Sequence, residues 1–103
     1  MGVRLKTVAE VTVTTAGTRV KLSETSILVY SVSIQSLSTN TGTQYVGDNA
    51  VTSSNGMIIS PTDVAELDGP IGAREPHQFD LTDIYVDSST NGAKFRVSAW
   101  IRD

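Results

Sequence analysis

The stretch RLKTVAEVTVTTAGTRVKLS, Arg4 to Ser23, decides the fold class. Val11 and Val13 alternate with Thr12 and Thr14, and beyond Ala16-Gly17 the apolar Val20 and Leu22 alternate with Arg19 and Lys21. A period of two sends successive side chains to opposite faces, the pattern of a strand with one dry and one wet side. Ala16-Gly17 reads as a short hairpin turn between two such strands. Downstream, Tyr30, Val32 and Ile34 share one face opposite Ser31, Ser33 and Gln35, until the alternation slips at Ser36-Leu37, where a bulge or strand end is expected.

The rest of the chain repeats this grammar. STNTGTQYV (Ser38 to Val46) and SSTNGAKFRV (Ser88 to Val97) each place a Ser-Thr-Asn-Gly cluster before an aromatic-containing strand, and read as two similar hairpins. Asn91-Gly92 is the stronger turn, because both residues tolerate the positive φ that a type I′ hairpin demands. Asn55-Gly56 introduces MIIS, and Pro61 stops that strand. PTDVAELD is expected to be a strand with Val64 and Leu67 buried, the other reading being one helical turn capped by Thr62. DGPIGAREPHQ, Asp68 to Gln78, reads as an irregular exposed loop. FDLTDIYVD and AKFRVSAWIRD then read as two long strands joined through Asn91-Gly92.

The chain has 103 residues, 25 of them Ser or Thr, and no cysteine. That length fits one domain, and the abundance of Val, Ile and Thr suits pleated strands. The expected fold is all-β: an antiparallel β-sandwich or jelly-roll-like barrel of about seven to eight strands. Residues 1–103 form the domain, with 1–9 as a candidate N-terminal arm. Without disulfides or thiolate metal sites, stability has to come from packing. A net charge of −3 with scattered basic residues argues against nucleic-acid binding. No segment approaches the length of a membrane span, and MGVRLKTVAEVTV lacks the apolar core of a signal peptide, so a cytoplasmic origin is expected.

Candidate reactive groups are few. Asp80, Asp83 and Asp87 form an acidic cluster, but as one strand Asp83 and Asp87 would share a face with Asp80 opposite, and solvated strand positions are the plainer reading. Gly47-Asp48-Asn49 lacks the alternating oxygen ligands and terminal Glu of a calcium loop, so an Asx turn is expected there. His77, the single histidine, sits in the exposed loop with no nucleophile elbow to serve. No catalytic activity, cofactor or metal is expected. Recognition surfaces fare better: on Lys94 to Arg102, Phe95, Val97, Ala99 and Ile101 make one face and leave Trp100 among Arg96, Ser98 and Arg102 on the other. Trp and Arg commonly anchor interfaces; burial of Trp100 under a loop is the alternative. Arg4 and Lys6, alternating with Val3 and Leu5, read either as an arm that adds a strand to a neighbour or as a charged edge strand. Tyr45 either packs inward or faces a partner.

SVSIQSLSTNTGTQYVGDNAVTSSNGMIISPTDVAELD and DLTDIYVDSSTNGAKFRVSAW, together spanning much of Ser31 to Trp100, resemble small structural proteins of tailed bacteriophages. In these a strand, an N-T-G turn, a YVGD-like piece, an S-S-N-G turn and a D-L-x-D-I-Y-V-D-x-x-x-N-G segment follow one another. The resemblance implies a virion component, most like a head decoration (cement) protein. It also implies the major capsid protein or other virion proteins as partners, and a homo-oligomer, a trimer being favoured. Assembly in the host bacterial cytoplasm is likewise implied. The alternative is a tail-associated receptor- or carbohydrate-binding jelly roll, with Trp100 or Tyr45 as the stacking platform. DGPIGAREPHQ departs from the pattern.

Overall fold

A computed structural model describes residues 3–68 and 78–102, which form an all-β sandwich. Its strands are β1 (Val3–Val13), β2 (Val20–Lys21), β3 (Leu28–Val29), β4 (Ser31–Ser36), β5 (Gln44–Gly47), β6 (Met57–Ile59), β7 (Val64–Asp68), β8 (Phe79–Asp80), β9 (Tyr85–Ser88) and β10 (Ala93–Arg102). The front sheet has the order β1-β10-β4-β7, the back sheet β2-β9-β5-β6, and β3 pairs with β8 as a small ribbon. Every pairing is antiparallel. With β3 and β8 set aside, the chain winds between the two sheets in the order of a jelly roll.

Between the sheets lies one dry core. The front sheet contributes Val11, Val13, Val32, Ile34, Phe95 and Val97, with Ala65, Ala93 and Ala99 as its smaller members. Facing them are Val46, Ile59 and Val86 of the back sheet, and Leu22, Val29, Leu81 and Ile84 complete the cluster. The expected alternation holds along β10, where Ala93, Phe95, Val97 and Ala99 are buried while Lys94, Arg96 and Trp100 are exposed. In β7 the expectation fails: Val64 is exposed and Ala65 is the buried residue, with Leu67 only half-buried. Val64 and Leu67 lie an odd number of residues apart, so a strand cannot bury both on one side. The other reading of that segment, Thr62 as a helix cap, also fails; Thr62 sits at φ 76 in the turn after Pro61.

The largest departure concerns the turns. Ala16-Gly17, Ser38 to Thr43 and Asn91-Gly92 join no hairpins; each carries the chain from one sheet to the other, because β1, β4 and β10 belong to the front sheet while β2, β5 and β9 belong to the back. Gly92 does take a positive φ of 79, but Asn91 does not, so the turn is not the expected type I′ and its topological role differs as well. Only Asn55-Gly56 precedes a strand, β6, that pairs with its predecessor β5. FDLTDIYVD is likewise no single strand. A 3-10 turn, Leu81–Asp83, interrupts it and buries Leu81 in the core.

The two Ser-Thr-Asn-Gly segments interlock. Thr43 N donates to Ser89 Oγ at 2.9 Å, Ser89 N to Thr43 O at 2.9 Å, and Thr90 Oγ1 to Thr41 O at 2.8 Å. Asn40 acts as a piece of strand: its Nδ2 donates to Lys94 O (2.7 Å) and its Oδ1 accepts from Lys94 N (2.8 Å). Beneath them, Ser36 Oγ donates to Gln44 Oε1 at 2.8 Å with both residues fully buried. Among the described residues no buried side-chain polar atom lacks a partner, as a dry core requires, since an unpaired one would cost about 1–3 kcal/mol. Much of the Ser/Thr/Asn content is therefore structural joinery.

Candidate functional site: the bare face of the front sheet

Strand β1 explains why the front sheet presents an apolar patch. Val3, Leu5, Val11 and Val13 are all odd-numbered and on a regular strand would share the core face. A bulge intervenes: Val8 pairs with Val97 but Val11 with Phe95, so three steps on β1 match two on β10. The extra residue inverts the side chains that precede it. Val8 packs against the core instead, while Val3 and Leu5 turn outward, exposed to 54% and 55%.

The outward residues meet the exposed ones of β10. Leu5 lies directly across from Trp100, which is 47% exposed, and Val3 lies across from Arg102. On the other side of β10, Trp100 is opposite Ser31 and Arg96 opposite Gln35. Arg96 makes a long ion pair with Glu10 at 4.0 Å, both side chains well exposed, a contact of little energetic weight. The result is a face with an aliphatic and aromatic end, a neutral Ser31-Ser33-Gln35 middle and basic side chains along β10. Farther across, Glu66 and Asp68 of β7 give that edge the opposite sign.

The interface candidates thus divide. Trp100, Arg96 and Arg102 share this outer face, joined by Val3 and Leu5, which sequence periodicity has no means of placing there. Arg4 and Lys6 belong to the same strand but alternate to its other side, opposite Ile101 and Ala99. Of the candidate arm 1–9, residues 1 and 2 lie outside the described residues and 3–9 lie within β1, where 3–8 pair along β10 of their own chain and β1 forms the edge of the front sheet. Tyr45 is 8% exposed and belongs to the back sheet, which leaves too little of its ring for partner binding.

The carboxylates separate by role. Asp87 is buried, and its Oδ1 accepts from Gly17 N at 3.0 Å and Ser88 N at 2.7 Å, tying the first crossing to β9. Asp80 caps the 3-10 turn. It accepts from the hydroxyl of Ser26, from Thr82 N (2.9 Å) and Thr82 Oγ1 (2.9 Å), and from Ile27 N (3.3 Å). These bonds, that from Ser26 foremost, lower its pKa to about 2 against an opposing effect of burial. Asp48 forms the expected Asx turn, with Oδ1 accepting from Ala50 N at 2.9 Å. Among the described residues no group of three His, Asp or Glu side chains gathers as a metal site. His77 and most of the 68–78 loop lie outside the described residues.

The chain is thus an all-β protein of the sandwich class. Compared with known proteins, it matches no family profile, no curated protein and no solved structure.

Proposed function

We propose that this chain is a structural protein of a tailed-bacteriophage virion, a decoration protein that seats the outer face of its front sheet on the major capsid protein and stabilises the head. The observation that carries the reading is the Leu5-Trp100 pair, two large apolar side chains about half exposed and directly opposed across β1 and β10, with Arg96 and Arg102 on the same strand as Trp100. Trp and Arg dominate the energetics of protein interfaces when desolvated, and an open sheet face suits many dispersed contacts with a large partner. The resemblance of the turn-and-strand grammar to phage structural proteins supports the same reading, and jelly rolls are a winding that viral shell domains use, which is an analogy of fold only. The protein acts as a homo-oligomer, a trimer being the favoured form, and assembles in the host cytoplasm.

Two measurements test this. Quantitative mass spectrometry of purified particles is expected to find the chain in copy number comparable to the capsid subunit; a handful of copies that co-purify with tails sinks the head assignment. Sedimentation with heads lacking the protein is expected to recover wild type but not Trp100→Ala, with the variant's melting temperature unchanged.

A further inference from the structure

The back sheet carries a second surface of a different kind. Three connections converge beside Tyr85: the β1–β2 crossing, the β5–β6 loop and the 3-10 turn. They border a wide, open hollow of about 540 Å³ lined by residues 17–19, Asn49 and Tyr85. A second hollow of about 220 Å³ again contacts Asn49 and Tyr85 and adds Asp48, Thr82 and Asp83. Tyr85 and Asn49 therefore stand between two halves of one open groove.

We propose that this groove binds a neutral saccharide, with the Tyr85 ring as its stacking surface and Arg19, Asn49 and Asp83 as its hydrogen-bonding groups. The first support is what these side chains leave unused. The other asparagines, Asn40, Asn55 and Asn91, and the carboxylates Asp80 and Asp87 all bond to the backbone through their side chains. Arg19, Asn49, Asp83 and the Tyr85 hydroxyl make no side-chain hydrogen bond or ion pair among the described residues. Donors and acceptors of several types are thus left for a ligand around a half-buried aromatic ring.

The second support is rigidity of the walls. Gly17 N is held by buried Asp87 and Ala16 N by Asn91 Oδ1 at 2.8 Å. Ala50 N is held by Asp48, and Thr82 by Asp80. A pre-formed site loses less ordering entropy on binding. Charge then selects the ligand class. The lining carries one Arg and two Asp, so the groove has no excess of positive charge to hold a phosphate or a carboxylated sugar, and its polar lining gives no anchor to an apolar chain. A pyranose, with one C–H face for an aromatic ring and hydroxyls round its rim, matches that set, and the volume falls within the range of small-molecule sites.

The inference is independent of the capsid reading, since it uses the other sheet. To test it, ¹⁵N-labelled protein is titrated with methyl glycosides of glucose, galactose, mannose and N-acetylglucosamine to about 50 mM, because one stacked ring in an open groove binds weakly. At least one is expected to give saturable amide shifts confined to residues 17–19, 48–50 and 82–85. Tyr85→Ala is expected to weaken binding about tenfold or more, while Tyr85→Phe keeps it within about threefold, as stacking requires. Arg19→Ala and Asn49→Ala alter exposed side chains and should each weaken binding severalfold without unfolding the protein, which covers the case in which Tyr85→Ala does not fold. No saturable shift across the panel, shifts centred on Trp100, or full binding by Arg19→Ala and Asn49→Ala would each overturn the proposal.

Discussion

On the outer side of the back sheet, Tyr45 and Asp87 stand opposite each other across β5 and β9, and both are buried, 8% and 3% exposed. On the outer side of the front sheet, Leu5 and Trp100 stand opposite each other across β1 and β10, and both are about half exposed. The difference is a matter of cover. The back sheet is roofed by its own connections: Gly17 N reaches Asp87, and the buried Val51 fills the space where side chains at Gly47 and Gly56 would otherwise stand. Residues that look like an interface in sequence can be part of the inside when the chain folds back on them. That roof stops short of the edge strand β6, where Ile58, across from Tyr45, is 68% exposed; the front sheet keeps an aromatic-aliphatic pair bare at its centre and edge, and such a pair suggests a partner.

That contrast can be broken most forcefully at Gly56. Its φ is +84, and a Cβ there would meet Val51 Cγ2 at 2.6 Å and Val46 O at 2.9 Å. Backbone strain and overpacking together should make Gly56→Ala destabilise the domain by about 3 kcal/mol in urea unfolding; a near-neutral result would mean the roof is not packed as described. Val51→Ala, which deletes two buried methyl groups' worth of contact, should cost about 2 kcal/mol. Its effect should also appear as faster amide exchange in β5, and no such change is expected in β4.

Asp80 supplies a pH test of the same roof, because it holds the turn that carries Thr82 and Asp83. Its folded pKa lies near 2, below its ordinary 3.8. A depressed carboxylate contributes stability that is fully present above the ordinary value and is lost as pH falls through the folded one. Melting temperature should therefore fall between about pH 4 and pH 2, and Asp80→Asn should flatten that part of the profile. An unchanged slope in the variant would remove Asp80 from the account. The smallest effect belongs to the bare face: Trp100→Ala and Leu5→Ala should change the isolated domain's stability by no more than about 0.5 kcal/mol each. A loss well above that would show the pair to be packed within the molecule and leave the docking surface without its anchor.

Much of the fold is legible in the residue order. Alternation along β4 and β10 places Ile34, Phe95 and Val97 in the core and Trp100 outside it, because a pleat has a period that short-range sequence carries. Turn residues mark where the chain reverses: Gly17, Gly56 and Gly92 all take positive φ. The destination of each reversal is hidden. Asn91-Gly92 has the composition of a type I′ hairpin, yet only Gly92 takes a positive φ and the turn carries the chain from β9 to β10 in the opposite sheet. The outer face is hidden for a second reason. One extra residue between Val8 and Val11 decides whether Val3 and Leu5 face the core or the solvent, and local propensity does not register it. At the Tyr85 groove, no motif links Arg19, Asn49 and Asp83, which come from three separate connections.

By itself, then, the amino-acid order determined the strand period, the positions of reversal and which side of β10 is dry, all of them consequences of steric and hydrophobic preferences acting over a few neighbours. Only the tertiary structure decided which sheet each strand joins, that the back face is roofed over β5 and β9 and that the Leu5-Trp100 pair of the front face is bare. Those outcomes depend on pairing residues as far apart as Val3 and Arg102, and such pairs are selected by the burial of the core as a whole.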